Sequence, residues 1–253
     1  MSNRKRLDEL ITLSVELGKP GNDYVILGEG NTSARANDET FWVKASGKSL
    51  NNIDAGGFVQ VDYAAVITTL DSRSLSDSAI KQALREATIG ETELLPSVET
   101  MFHAVCLFEA GAEFVGHTHP TAVNAILCSQ HAKEAYSGRI FPDEIVVCGP
   151  EPVFIPYTDP GLTLSIAIRE GIRAYQDRLQ RDPKLILLQN HGMIALGRTA
   201  SEVQRITAMA VKVSRILQAA YAVGGPNFLS AERVARIDTR PDEHYRQRML
   251  EGQ

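Results

Sequence analysis

His117 and His119 stand two residues apart in Gly116-His117-Thr118-His119-Pro120, and His191 follows far downstream in Gln189-Asn190-His191-Gly192. In an extended segment, side chains two apart share one side, so the first two imidazoles face a common point. That pair is half of a divalent metal site. A third imidazole, delivered from another strand or turn, would leave one coordination place open for water or substrate. Three protein ligands plus an open place is the catalytic rather than the structural form of zinc coordination.

Three further segments carry residues that complement a metal. In Gly28-Glu29-Gly30-Asn31-Thr32-Ser33, glycines beside an asparagine let backbone N–H groups turn inward as an anion-binding nest; the alternative is a plain turn between strands. The spacing is not the G-x-G-x-x-G of dinucleotide binding. In Val43–Lys48, the Ser46-Gly47 turn can add a hydroxyl and an amide to the same anion, or it is a hairpin turn with two solvated lysines. In Leu95–His103, Ser97 is a helix N-cap and Glu99 lies in the first turn, where the helix dipole favours a carboxylate. Glu99 gains a second role only if that helix start faces the metal. His103, one turn later, reads as a core histidine satisfied by its neighbours, while His131 and His244 sit in polar, exposed surroundings.

The elements that must position these residues follow from periodicity. Leu7, Leu10, Ile11, Val15 and Leu17 form a helical stripe stopped by Gly18 and Pro20. The pattern predicts strands at 40–45, 113–119, 145–147, 153–155 and 185–188, and helices at 61–70, 78–87 and about 162–177. Pro120 begins a short helix. Thr199-Ala200-Ser201-Glu202 is a capping box opening a long helix to about Val223, closed by Gly224-Gly225-Pro226. With no repeat or linker, the chain reads as one α/β domain over residues 1–230, followed by a polar tail, 231–253, carrying Arg233, Arg236, Arg240 and Arg246.

Bulk composition narrows the function. The 253 residues are 43% hydrophobic with a net charge of −5, long enough for a substantial core and without a basic footprint for nucleic acid. No apolar run approaches the roughly 18 residues that span a bilayer, and Asp8, Glu9 and Glu16 interrupt any signal-peptide core. Cys106, Cys128 and Cys148 lack metal-like pairing and read as buried free thiols of a cytoplasmic protein.

Taken in order, Gly30-Asn31-x-Ser33, Ser46-Gly47, Pro96-Ser97-x-Glu99-x3-His103, His117-x-His119 and Gln189-x-His191-Gly192 resemble the class II aldolase/adducin family, from about Leu7 to Phe228. The resemblance implies a central, mainly antiparallel β-sheet flanked by helices, in a homotetramer with the active site near a subunit boundary. It implies that His117, His119 and His191 hold a divalent metal, Zn2+ first, with Mn2+, Co2+ or Ni2+ also fitting. Glu99 would approach the metal at rest and serve as general acid/base, and Gly30, Asn31, Ser46, Gly47 and Ser97 would hold a substrate phosphate. The implied reaction is cleavage of a phosphorylated ketose to dihydroxyacetone phosphate and an aldehyde. Such a retro-aldol step leaves an enediolate, whose charge a metal Lewis acid takes up.

Two positions depart from the sugar-phosphate aldolases. Val98 replaces a second serine, and the tyrosine that donates a proton to the departing aldehyde has no counterpart; Tyr157, Tyr245 and Asp143 are the candidates to replace it. Pentulose-phosphate epimerisation and hydroxy-carboxylate decarboxylation use the same metal chemistry and stand as alternatives. A non-catalytic module of the adducin kind would have lost the histidines, which are all retained here.

Overall fold

Seven short strands lie among the described residues, the central ones buried on both faces rather than alternating: β1 (Asn31–Arg35), β2 (Thr40–Lys44), β3 (Phe58–Asp62), β4 (Phe114–Thr118), β5 (Val153–Ile155), β6 (Leu185–Leu188) and β7 (Gly192–Gly197). The computed structural model describes residues 3–72, 74–242, 245 and 249. The strands form one sheet in the order β3-β2-β1-β4-β7-β6-β5, antiparallel throughout except for the parallel β5–β6 edge pair. The mainly antiparallel sheet expected from the sequence is therefore the one observed.

Ten helices connect the strands within the described residues: α1 (Asn3–Leu17), α2 (Tyr63–Asp71), α3 (Asp77–Glu86), α4 (Thr100–Phe108), α5 (Thr121–Leu127), α6 (Ala132–Ala135), α7 (Pro142–Cys148), α8 (Leu162–Leu179), α9 (Ala200–Ala222) and α10 (Ala231–Asp238). Two apolar layers sandwich the sheet. Side chains of α2, α3, α4 and α8 pack with Val43, Val115, Ile186 and Ile194 on one face. Side chains of α1, α5, α7 and α9 pack with Ala34, Phe114, Leu187 and Met193 on the other. The result is an α/β/α arrangement, in which no described helix is long and apolar enough to cross a membrane.

Several local expectations need correction. Residues 145–147 are not a strand but part of α7, which opens with Pro142 and the acidic pair Asp143 and Glu144. Glu144 closes that helix start by accepting from the Ile140 N–H and pairing with buried Arg139 at 2.8 Å. The helix expected over 61–70 begins only at Tyr63, because Val61 belongs to β3 and Asp62 caps by accepting from the Ala65 N–H. Cys128 is exposed, whereas Cys106 and Cys148 are buried as expected.

The expected polar tail starts as a helix, α10, with no buried residue, and Arg181 pairs with its Asp238 at 2.7 Å. His244 and Arg246 lie outside the described residues. Half of the 199–202 capping box is present: Thr199 Oγ1 accepts from the Glu202 N–H, while the Glu202 carboxylate accepts from the N–H of Arg198 rather than of Thr199.

Candidate metal centre

Strand register gathers the site before any side chain is considered. Asn31 of β1 and Ile194 of β7 are the cross-strand partners of His117 on β4, so the His117 ring rises on the face covered by α4. His119 lies just beyond the strand end, where its N–H donates to the Tyr24 carbonyl at 2.9 Å. His191 arrives from the turn between β6 and β7. There Asn190 adopts the left-handed conformation at φ 55°, and Asn124 Nδ2 donates to the His191 carbonyl at 2.9 Å.

The three imidazoles converge. One nitrogen from each of His117, His119 and His191 lies within 4.8 Å of the others, and the Nε2 atoms of His117 and His119 are 2.9 Å apart. Two nitrogens bound tetrahedrally to one zinc at 2.0–2.1 Å would stand about 3.3 Å apart. The close pair is near that spacing. Burial pushes the His117 imidazole down to about 4 and the His119 imidazole down to about 3, so both are neutral near pH 7. Neutral imidazoles are the form that coordinates metal.

Gly192 is small for a reason that turn chemistry does not supply. A Cβ there would stand 2.6 Å from His119 Cδ2 and 2.6 Å from the Thr118 carbonyl. Gly30 answers to two constraints, a φ of 67° and a would-be Cβ 2.7 Å from the His117 carbonyl.

Glu99 faces the same point. Its Oε1 lies 3.3 Å from His191 Nε2 and 3.7 Å from His117 Nε2. The regular part of α4 begins at Thr100 rather than directly after Ser97, with Glu99 at its threshold; Ser97 Oγ accepts from the Glu99 N–H at 3.3 Å, capping the preceding turn. Burial pushes the Glu99 carboxyl up, while His117, His191 and Asn31 pull it down, and the pull wins. Three imidazole nitrogens beside one carboxylate fit a borderline divalent metal.

The anion-binding candidates fall into two groups. Gly30 and Asn31 adjoin the imidazoles. The Asn31 amide is engaged at both ends, donating to Glu99 Oε2 at 2.5 Å through Nδ2 and accepting from His103 through Oδ1. Ser46 and Ser97 are drawn together by an antiparallel bridge between Ala45 and Pro96. They share a cleft of about 810 Å³ with Val98, Lys81, Asp159 and Thr163. Gly47 follows Ser46 with φ 76°.

Lys44 joins the two groups. It is 3% exposed rather than solvated, and its ammonium donates to the Gly28 carbonyl at 3.2 Å and the Lys48 carbonyl at 2.6 Å. No spacing in the sequence marks this role.

His103 is a fully buried histidine, as the sequence suggested, and is not among the three clustered imidazoles. Burial drives its ring down to about 3. Of the candidates to replace the missing tyrosine, Asp143 lies on α7 in a groove with Arg205 and Lys212. Tyr157 is exposed and donates to Asp159, and Tyr245 is exposed. His131 is exposed beside Glu134.

Comparison with known proteins places the family and the fold. The uncharacterized oxidoreductase YuxG of Bacillus subtilis is 28% identical over 206 residues, covering 78% of this chain and 27% of that protein. The chain thus spans about a quarter of that relative's length. A methylthioribulose-1-phosphate dehydratase of Geobacillus kaustophilus is 29% identical over 206 residues, covering 79% of this chain and 85% of the enzyme. Among solved structures, the N-terminal class II aldolase domain of a Thermoplasma acidophilum protein superposes with a TM-score of 0.66 at 26% identity, covering 83% of this chain and 92% of that one. An L-fuculose 1-phosphate aldolase superposes with a TM-score of 0.67 at 18% identity, covering 92% and 94%, and so shares the fold. The family model for the class II aldolase and adducin N-terminal domain matches residues 9–218, and the chain belongs to that family.

Proposed function

We propose that the protein is a divalent-metal-dependent aldolase that cleaves a phosphorylated ketose to dihydroxyacetone phosphate and an aldehyde. The observation that carries this reading is the convergence of His117, His119 and His191 within 4.8 Å, with Glu99 Oε1 3.3 Å from His191. In this reading the three imidazoles hold the metal, zinc before manganese, cobalt or nickel, and Glu99 approaches it at rest. A bound divalent ion would supply Lewis acidity to the substrate carbonyl.

The chain's own residues do the rest. Ser46 and Ser97 offer hydroxyls to the phosphate from one cleft, and Gly47, Gly30 and Asn31 complete the proposed phosphate-binding set. Fixing the phosphate places the reacting carbons, so remote binding energy is used for orientation. On cleavage, the proton from the hydroxyl of the departing carbon must reach the carbon left behind. Glu99, the carboxylate nearest His117 and His191, carries it, a role worth a factor of about 10²–10⁴.

A second reading has support of its own, because a relative at 29% identity is named a dehydratase of a ketose 1-phosphate. Loss of water beside the carbonyl needs the same phosphate cleft and the same carboxylate. Metal-loaded protein assayed against a panel of ketose 1-phosphates separates the two. Triose phosphate release is expected; water loss without carbon–carbon cleavage would favour dehydration, and epimer or carbon dioxide formation would favour the other family chemistries. No turnover of any panel member would overturn the aldolase reading.

A further inference from the structure

His103 does more than fill the core. We propose that His103 is a positioning residue for Glu99, setting the direction of a buried hydrogen-bond chain that runs Ser33–His103–Asn31–Glu99. The inference rests on the reading of Glu99 as proton carrier, and its structural half can be tested without turnover.

Two spacings make the chain possible. Glu99 and His103 are four residues apart at the start of α4, a rise of about 6 Å along a helix. Asn31 and Ser33 are two apart on one face of β1, about 6.6 Å along a strand. Helix over strand, the pairs match: Glu99 meets Asn31, and His103 reaches both Asn31 and Ser33. All of Asn31, Ser33 and His103 are 4% exposed or less, so water does not substitute for any of these bonds.

The polarity of each bond follows from what each group can do. An amide nitrogen only donates, so the Asn31 Nδ2 gives its hydrogen to Glu99 Oε2 at 2.5 Å. That orientation turns Asn31 Oδ1 toward His103 Nε2, and an amide oxygen also only accepts. His103 must therefore carry its proton on Nε2. Its Nδ1 is left as an acceptor, supplied by the Ser33 hydroxyl at 2.7 Å.

Reversing the His103 tautomer would set a lone pair against Asn31 Oδ1 and favour a flipped amide. The flipped amide would then oppose its own oxygen to the Glu99 carboxylate. His103 thus decides which end of Asn31 faces Glu99. Both its nitrogens are committed, which is also why it is not a fourth ligand. Its ring stacks on Phe102 at 4.7 Å, and Phe102 meets His117 edge-on at 5.4 Å, holding the ring plane.

Long-range proton–nitrogen NMR of the imidazoles tests the tautomer. His103 is expected as the neutral Nε2–H form between pH 6 and 8, with slowly exchanging Asn31 side-chain amide signals that His103→Phe abolishes. An Nδ1–H tautomer, or Asn31 signals that survive His103→Phe, would overturn the chain. Kinetically, His103→Phe should lower kcat about 10- to 100-fold, the scale of a hydrogen bond to a charged group. KM and metal content should hold, and His103→Gln, which can still donate to Asn31, should recover part of the loss. Ser33→Ala, a smaller change for the fold, should give an intermediate kcat and a mixed His103 tautomer. Metal lost in step with activity, with kcat per loaded site unchanged, would assign His103 a merely structural role. If the wild-type protein turns over no ketose phosphate, the proposed function fails while the tautomer and amide signals still decide this inference.

Discussion

His117 Nδ1 donates to the Met193 carbonyl at 2.9 Å across the β4–β7 seam. A carbonyl can only accept, so the bond fixes the His117 tautomer and leaves the Nε2 lone pair aimed at His119 and His191. The seam that builds the sheet also orients the imidazole. Among the described residues the His119 ring has no such backbone anchor; its Nδ1 faces Glu29 Oε1 at 3.9 Å.

The triad therefore gives a metal-removal prediction. His119→Ala takes away one of three nitrogen donors without touching a sheet residue. Elemental analysis of the purified variant should find the metal, about one per chain in the wild type, reduced to near zero, with the far-ultraviolet circular dichroism unchanged. Full metal occupancy in His119→Ala would remove His119 from the ligand set.

Glu99→Gln separates binding from proton transfer. Glutamine keeps the size of the side chain and can still meet Asn31 through its amide oxygen. It cannot hold a mobile proton. Metal content should stay close to that of the wild type, while kcat falls by about 10²–10⁴. An unchanged kcat in steady-state assays would exclude Glu99 as the proton carrier.

Much of this site was legible because the chemistry lay in pairs with fixed spacing. His117-x-His119 could be read from the strand period alone, and His191 from an apolar strand ending in a turn. Misreadings arose where two signals competed. The run Ile145-Val146-Val147 looks like a strand by β-branching, but Pro142 and two acids in the first turn are helix-start signals, and these won. Lys44 and the His103 chain were hidden for a different reason. Their roles depend on which distant carbonyl or amide arrives beside them, and that is a property of the sheet register. Gly192 stands beside the β6–β7 turn, yet the left-handed residue there is Asn190, and the glycine answers to the imidazole beside it.

The three thiols should divide by burial. Burial pushes the Cys148 thiol up to about 12 and raises Cys106 still further, so at pH 8 both remain neutral thiols, poor nucleophiles in a closed core. Cys128 is exposed. A disulfide reagent such as Ellman's should titrate one thiol in the native protein and three after denaturation. The sign for stability follows: with folded values above the unfolded one, these thiols favour the fold fully below about pH 8.5, and that contribution declines as pH rises through 12. Rapid native labelling of all three would contradict the packing around α4 and α7.

Two glycines on the paired strands β4 and β7, Gly116 and Gly192, should respond differently to one added methyl. At Gly192 the Cβ would meet His119 Cδ2 and the Thr118 backbone, both at 2.6 Å, so either the imidazole or the β4–β7 seam must move. At Gly116 the Cβ would meet the side-chain ends of Val203 at 2.7 Å and Leu17 at 2.9 Å, on the opposite face of β4. Those atoms belong to α9 and α1, which can shift outward at a cost of about 1–3 kcal/mol, as for overpacking elsewhere. Gly192→Ala should therefore weaken metal affinity at least about 10-fold, the scale seen when support for a ligand is lost, with a smaller change in thermal midpoint. Gly116→Ala should lower the thermal midpoint and keep metal affinity within a few-fold. Competition against a chelator, read beside thermal denaturation, measures both, and the reverse pattern would place the metal on the α1–α9 face instead of beneath α4.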